Sequence, residues 1–302
     1  MLLKKRTESN ESVALRYLNT RMELAANEKF HLVNLEKGYK GEVEFDRMTE
    51  NLPEERYIMD DLLLQVNNSY FQIDKVIISG GLIHLLDVKY HEGDFYLESD
   101  KFYSLKSGKE YKNPVIQLKR SETLFRQLLQ NLKLNYLIQA SVVFNNPEFT
   151  LYQAPMDQPI ILPTQINRFL KELTNTPSKL DENHKILAQK LLSLHHDKNP
   201  FTTLPEYDYD QMEKGMHCRT CGSFNTSIKI RNLVCGKCGS SENVEQSIVQ
   251  QIEEFKLLFP ERKITTQSIY EWCNIDLNKR RITRVLKKNY SAKGTTSDTY
   301  YE

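Results

Sequence analysis

The sequence predicts a mixed α/β core, followed by a small cysteine-held unit and a helical carboxy-terminal unit. Three observations predict it. Phe71 to Tyr90, FQIDKVIISGGLIHLLDVKY, sets two apolar runs around Ser79-Gly80-Gly81. The alternation of Ile73, Lys75 and Ile77 and the β-branched content argue for antiparallel strands joined by a tight turn. Around this hairpin the chain reads helix, three strands, helix, strand. Farther on, four of the five cysteines stand in two C-x-x-C pairs, beyond which apolar residues recur at helical spacing.

Length and charge bound the functions available. At 302 residues the chain is too long for one small core. The expected division is a helical segment over 1–35, an α/β domain over 36–165, a helical segment and linker over 166–210, a cysteine-held unit over 211–243 and a basic helical unit over 244–302. A formal net charge of +1 excludes a polycation, so any affinity for nucleic acid is local. Met1-Leu2-Leu3-Lys4-Lys5-Arg6 lacks the apolar stretch of a signal peptide, and no apolar run approaches the ~18 residues of a membrane span. The expectation is a cytoplasmic protein with no membrane partner, its paired cysteines serving metal chemistry in a reducing compartment.

Ser12 to Asn27 reads as a helix, with Leu15, Leu18 and Met22 at helical spacing. Glu36 to Glu42 follows, where Gly38 and Gly41 would let the backbone approach closely before a helix carrying Glu42 near its first turn and ended by Pro53. Tyr57–Val66, Tyr70–Ser79 and Gly81–Tyr90 read as strands, with Gly93–Glu98 a shorter one. Asn113-Pro114 is a helix start, asparagine capping and proline at the first position. The helix from Val115 to Leu132 turns Leu118, Leu124, Phe125 and Leu128 to one side, with Gln117 in its first turn. Tyr136–Phe144 suits a core strand and Gln158–Leu162 an edge strand. Thr164–Leu173 and Leu180–His195 look helical, and Asp197–Asp210 reads as a linker.

Within the hairpin, Asp74 lies in an apolar strand, where an acid is costly to bury unless it is paired or bound to a cation. Asp87 and Lys89 point to the same face of the next strand, and Asp74 and Asp87 sit thirteen residues apart around a short turn. Two converging carboxylates holding a divalent cation beside an ammonium make a workable phosphodiesterase centre. An isolated D-x-K is more often an ordinary charged strand edge, so the surrounding motifs carry the weight. His84 and His91 flank the site, but lone strand histidines are usually packed or solvated, and neither is assigned a role.

Gly38-x-x-Gly41-Glu42, Ile73-Asp74, Asp87-Val88-Lys89 and Asn113-Pro114-x-x-Gln117, in that order, resemble the nuclease-related domain (NERD) over residues 36 to about 145. That domain is related to the restriction-endonuclease-like fold with its PD-(D/E)xK centre. The resemblance implies a mixed sheet flanked by helices, with Glu42, Asp74 and Asp87 around Mg²⁺ or Mn²⁺. It implies Lys89 as the catalytic lysine and Gln117 as the group that orients water or phosphate. The chain departs from the family in placing aspartate, one methylene shorter, where glutamate usually precedes x-Lys. Many nucleases of this fold cut as dimers, so a homodimer is compatible with the resemblance.

Cys218-x-x-Cys221 and Cys235-x-x-Cys238, each followed by glycine and separated by thirteen residues, resemble a zinc ribbon: four thiolates around one structural Zn²⁺. A redox C-x-x-C is the weaker alternative, and His217 fits a knuckle less well than Cys218. Ile248, Ile252, Phe255 and Phe259 then mark one helix. Thr265-Thr266 caps a second and Asp276 a third, in which Ile282, Val285 and Leu286 face one way. Lys279, Arg280, Arg281, Arg284, Lys287 and Lys288 cover the remainder of that third helix. Three short helices ending in a basic one resemble a helix-turn-helix, with Thr296–Tyr301 placed as a wing. Cys273 reads as an apolar filler.

The leading expectation is a metal-dependent nuclease that hydrolyses DNA, its ribbon and basic tail engaging the substrate; RNA stays open. The rival is a non-catalytic nucleic-acid-binding or regulatory protein on a nuclease-derived scaffold. Protein partners at the ribbon or carboxy-terminal helices form a third reading.

Overall fold

The computed structural model describes residues 1–53, 55–295 and 298–302. They form two compact units, each assembled from separate stretches of chain: Met1–Glu8 with Asn34–Phe201, and Ser9–Val33 with Thr202–Glu302. In chain order the elements begin with β1 (Leu2–Lys4), α1 (Asn10–Arg21), α2 (Ala26–Thr49), β2 (Tyr57–Val66), β3 (Ser69–Ser79) and β4 (Leu82–Lys89). Next come β5 (Gly93–Glu98), β6 (Lys101–Ser104), β7 (Glu110–Tyr111), α3 (Pro114–Asn131), β8 (Leu137–Phe144), β9 (Phe149–Tyr152) and β10 (Ile160–Ile161). The chain continues through α4 (Ile166–Asn175), α5 (Glu182–Ser193), β11 (Thr226–Lys229), β12 (Asn232–Cys235) and β13 (Ser241–Asn243). It ends with α6 (Val244–Leu258), α7 (Thr266–Cys273), α8 (Lys279–Asn289), β14 (Ala292–Lys293) and β15 (Tyr300–Tyr301). Among the described residues, no helix is long and apolar enough to cross a membrane.

The first unit is a mixed sheet in the order β1-β2-β3-β4-β8-β10. Strands β2, β3 and β4 form an antiparallel meander, whereas β8 runs parallel to β4 and β10 parallel to β8. Both hairpin turns have two residues. Asn67 and Asn68 take φ of +47° and +60°, the left-handed pair that such a turn requires and that asparagine tolerates. The second is Gly80-Gly81, with Gly81 at φ +85°. Parallel pairing of β4 and β8 needs a long crossover, which α3 supplies. Its cap is the expected one: Asn113 Oδ1 accepts from Val115 N–H at 2.9 Å, and Pro114 opens the helix.

The sheet is covered on both faces, which is why β4 is buried along Ile83–Val88, the polar His84 and Asp87 included. One face packs Val76, Ile83, Leu85 and Val142 against Leu118, Phe125 and Leu128 of α3 and Leu187 and Leu191 of α5. The other packs Ile77, Leu86, Val88 and Val143 against Phe45 of α2 and Ile166 and Leu173 of α4. In β2, Met59 and Leu62 both join the first of these clusters although they lie three apart. Asp61 between them adopts φ +56°, and that local irregularity breaks the two-residue alternation. A smaller sheet, β7-β6-β5-β9, stacks Phe95 on Phe102 at 4.8 Å and Phe144 on Phe149 at 4.1 Å.

Two helix boundaries correct the sequence reading. The first helix stops at Arg21, and α2 already begins at Ala26. Glu42 therefore sits deep inside a long helix rather than in a first turn, and the helix dipole gives it no support. The apolar spacing of the short α1 and the glycines of α2 had concealed both ends. At the other end of the chain, α8 is capped by Asn278, whose Oδ1 accepts from Arg280 N–H at 2.9 Å, and not by Asp276.

In the second unit, α6, α7 and α8 bury Ile248, Ile252, Phe255, Trp272, Ile282, Val285 and Leu286 among themselves. Thr265 caps α7 as expected, Oγ1 accepting from Ser268 N–H at 3.0 Å. Helix α1 packs on α6 and delivers Arg21, whose side chain is fully buried. Arg21 Nε donates to Glu254 Oε1 at 2.5 Å and Nη2 to Gln251 Oε1 at 2.6 Å, while Nη1 bonds the Glu213 carbonyl at 2.7 Å. Its guanidinium lies 3.9 Å from the Trp272 ring centre. Strands β14 and β15 pair antiparallel after α8. The wing placed over Thr296–Tyr301 lies in part, at Thr296 and Ser297, outside the described residues. Cys273 is buried and its thiol is pushed up to about 12 by that burial, as suits a filler.

Candidate active site and cysteine cluster

Asp74 stands one register step beyond the ladder pair Lys75–Leu86, opposite Asp87. Here a side chain replaces the ladder: Val88 N–H donates to Asp74 Oδ2 at 2.7 Å. Lys89 Nζ lies 2.7 Å from Asp87 Oδ2, so the D-x-K pair closes on itself along one strand face. Glu42 arrives from α2, which is held against the end of β4 by a missing side chain. A Cβ on Gly41 would lie 2.4 Å from Tyr90 Cβ, so only glycine permits this approach. Gly38, by contrast, faces open space. Asn145, just past β8, donates Nδ2–H to the Gly41 carbonyl at 2.6 Å and its backbone N–H to the Lys89 carbonyl at 3.2 Å. Its Oδ1 is buried and, among the described residues, has no hydrogen-bond partner.

Electrostatics shows that the four charged residues sense one another. Burial, then the Asp74 carboxylate, pushes Glu42 up to about 8, against the opposing pull of Arg6 and Lys89. Burial raises Asp87 to about 6, with Asp74 adding to the rise and Lys89 working against it. Burial alone would lower the Lys89 ammonium, but Asp87 and Asp74 outweigh it and hold its pKa above the ordinary value. Lys89 is thus kept charged. Gln117 is half-buried in the first turn of α3, and among the described residues no hydrogen bond joins its amide to the carboxylates. His84 and His91 are packing groups. Burial, helped by Arg56 at His84 and by Lys89 at His91, drops each to about 4. His91 lies among Phe95, Phe102 and Tyr111, with ring centres 5.1 to 5.9 Å away.

The sequence reading missed the cations behind the acids. Arg6 follows β1, which pairs with β2, and its side chain is 3 % exposed. It lies 2.7 Å from Glu42 Oε2 and 2.8 Å from Asp46 Oδ2, and Nη2 donates to the Asp74 carbonyl at 2.7 Å. Buried Lys75 pairs with Asp60 and, at 3.0 Å, with Asp46. Nothing in Lys4-Lys5-Arg6 distinguished Arg6 from a charged terminus. Lys75 had served only as the polar member of an alternating strand.

Whether a divalent cation fits can be judged from the donor set. Glu42, Asp46, Asp60, Asp74 and Asp87 are five carboxylates against the three cations Arg6, Lys75 and Lys89, and burial, with Asp74 adding to it, raises Glu42 and Asp87. Hard oxygen donors with surplus negative charge suit such an ion, and the unpartnered Asn145 Oδ1 adds a neutral oxygen nearby. The ligand atoms, however, face Arg6, Lys89 and Val88 N–H rather than one common point. Among the described residues only the four cysteines form a set close enough for one ion.

Cys218, Cys221, Cys235 and Cys238 bring their Sγ atoms within 4.8 Å of one another. Cys218 and Cys238 are 3.6 Å apart, as are Cys221 and Cys235. A tetrahedron with Zn–S of about 2.3 Å has edges of about 3.8 Å, so the cluster fits zinc with small adjustment. Each knuckle is closed by its glycine, Gly222 N–H bonding the Cys218 carbonyl at 2.8 Å and Gly239 N–H that of Cys235 at 3.0 Å. His217 takes no part: its Nε2 lies 3.1 Å from Glu254 Oε2. Strands β11, β12 and β13 carry the second knuckle. The hairpin β11–β12 turns at Ile230-Arg231, where Ile230 takes φ +58° and is 93 % exposed. A β-branched residue in that conformation costs about 1–3 kcal/mol.

Lys279, Arg280, Arg284, Lys287 and Lys288 are exposed on α8 and Arg281 half-exposed. Among the described residues none of them enters an ion pair, although Lys279 Nζ bonds Gln267 Oε1 at 2.7 Å.

Residues 37–145 match the family model of the nuclease-related domain, NERD. This span contains Glu42, Asp74, Asp87, Lys89 and Gln117. No curated protein and no solved structure matches the chain.

Proposed function

We propose that the chain is a metal-dependent nuclease acting on DNA, with its centre at Glu42, Asp74, Asp87 and Lys89 and with Gln117 orienting water or phosphate. The observation that carries this reading is the shared field of three carboxylates and one lysine, from α2, the middle of β3 and the end of β4, within a nuclease-related domain. Glu42, Asp74 and Asp87 would hold Mg²⁺ or Mn²⁺, with Arg6 and Lys89 releasing carboxylate oxygens to it. The ion supplies Lewis-acid polarisation of the phosphate and a more acidic water. Lys89, held charged by Asp87 and Asp74, stabilises the negative charge that develops on the phosphoryl oxygens. Asp87 reaches one methylene less far than a glutamate, and Lys89 on the same strand face follows it. The cysteine cluster would bind structural zinc, and the exposed cations of α8 would contact the DNA backbone.

One observation favours a second reading. The carboxylates already have resident cations in Arg6 and Lys89, and a protein so arranged could bind nucleic acid without cutting it. The test is cleavage of supercoiled and linear DNA with Mg²⁺ or Mn²⁺ against chelator, beside Lys89→Ala. Cutting that needs metal and is lost in Lys89→Ala supports the nuclease. Salt-sensitive DNA binding without turnover under any metal supports the binding protein.

A further inference from the structure

The tip of the β11–β12 hairpin has features that the nuclease centre does not use. A two-residue turn ordinarily takes glycine, asparagine or aspartate at a left-handed position, because a Cβ there crowds the backbone. This turn places isoleucine there, at φ +58°, and leaves its side chain 93 % exposed. A single exposed apolar residue is ordinary on a protein surface, but here it also sits in a strained backbone conformation, and such strain is a reason to look for a contact at this tip. Its surroundings identify the partner. Lys229 and Arg231 flank it, both exposed, and among the described residues neither forms an ion pair. Arg281 of α8 reaches across, its Nη1 donating to the Ile230 carbonyl at 3.5 Å. The apolar tip thus lies beside the cationic helix, in a field that a polyanion matches and an apolar protein surface does not.

We infer that Ile230 is an apolar wedge that enters a base step of duplex DNA, seated by phosphate contacts from Lys229, Arg231 and the cations of α8. Apolar side chains that part a base step bend the duplex and increase the surface it offers, which offsets the lost stacking. The hairpin is short and stapled by the cysteine knuckles, so the tip is presented rigidly. The inference rests on the DNA reading above and adds where the ribbon touches the duplex and how.

The test uses the full chain with bound zinc and a labelled duplex carrying 2-aminopurine. Four proteins are compared: wild type, Ile230→Asn, Ile230→Met and Arg284→Ala. Asparagine suits the left-handed turn, so Ile230→Asn should keep its zinc content and hold or raise its thermal midpoint. It should bind the duplex about tenfold more weakly and lose the 2-aminopurine signal of an opened step, while its salt dependence is unchanged. Ile230→Met should bind within about twofold of wild type, its apolar body being retained. Wild-type affinity and signal in Ile230→Asn, with weakened binding in Arg284→Ala, overturn the wedge while leaving the basic helix as the DNA contact. No binding of duplex by the wild type overturns both.

Discussion

Two glycines stand one helical turn apart in α2, and the structure assigns them opposite sensitivities. At Gly38 an added Cβ meets nothing within 4 Å. Replacing it with alanine should stabilise the protein by about 0.5–1 kcal/mol, because glycine in a helix interior is more costly than alanine by that amount. Gly41→Ala gains the same propensity but drives its methyl to 2.4 Å from Tyr90 Cβ and 2.5 Å from Cγ. These atoms sit at the root of a side chain and cannot swing aside, so α2 itself must shift from β4. Overpacking of this kind costs about 1–3 kcal/mol, and contact at the root of the ring argues for the upper end. The net expectation is about 1–2 kcal/mol of destabilisation, roughly 2–8 °C in midpoint. The two variants should therefore differ by about 1.5–3 kcal/mol in urea unfolding of the unit that holds the sheet. On the nuclease proposal, Gly41→Ala should also lose cleavage beyond its loss of stability, since Glu42 moves with the helix. Equal stability of the two variants would refute the close approach as the reason for Gly41.

The raised Glu42 predicts how pH and metal interact. An acid whose folded pKa lies above its ordinary value opposes folding once ionised, so the metal-free fold should lose stability as pH rises from about 4.5 to about 8, by at most about 5 kcal/mol. A divalent ion should relieve this charge, so Mg²⁺ is expected to raise the thermal midpoint more at pH 8.5 than at pH 6, and Glu42→Gln should abolish the difference. In the second unit, Arg21→Met leaves Glu254 charged and fully buried, and should cost about 3–5 kcal/mol by chemical denaturation. His217 alone gives little compensation, since it meets only one of the two Glu254 oxygens.

The parts of this fold that were legible in the sequence are those governed by local rules. Gly80-Gly81 between apolar runs gave the hairpin, and Asn113-Pro114 gave the start of α3. The paired cysteines gave the ribbon, because thiolates must be adjacent to share an ion. The strand acids were legible because an acid inside an apolar run stands out. Glu42 was placed on the right helix but the wrong turn, since nothing in Ala26–Gly41 signals that the helix has already begun. Arg6, Lys75 and Asn145 were missed for one reason: their partners lie far off in the chain, and their own neighbourhoods look ordinary. Arg6 meets Asp74 sixty-eight positions away, and Asn145 meets Gly41 across 104. Ile230 carried no signal either, since its oddity is a torsion angle rather than a residue pattern.

The bond between Arg21 and Glu254 spans 233 positions. Both units are threaded this way, the chain starting in the first, passing through the second, returning, and finishing in the second. During synthesis at about 5–20 residues per second, Arg21 would wait roughly 10–50 seconds for its carboxylate. Over that interval the apolar face of α1 lacks the α6 surface on which it packs. The same threading governs dissection of the protein. A fragment beginning after residue 210 retains the cysteines and the basic helix but lacks α1, leaving Glu254 ionised in an apolar interior. Failure of such a fragment to bind DNA would report a missing helix and not the absence of a binding surface. A shortened form with a sound second unit must carry residues 9–33, joined by a new linker to the carboxy-terminal part.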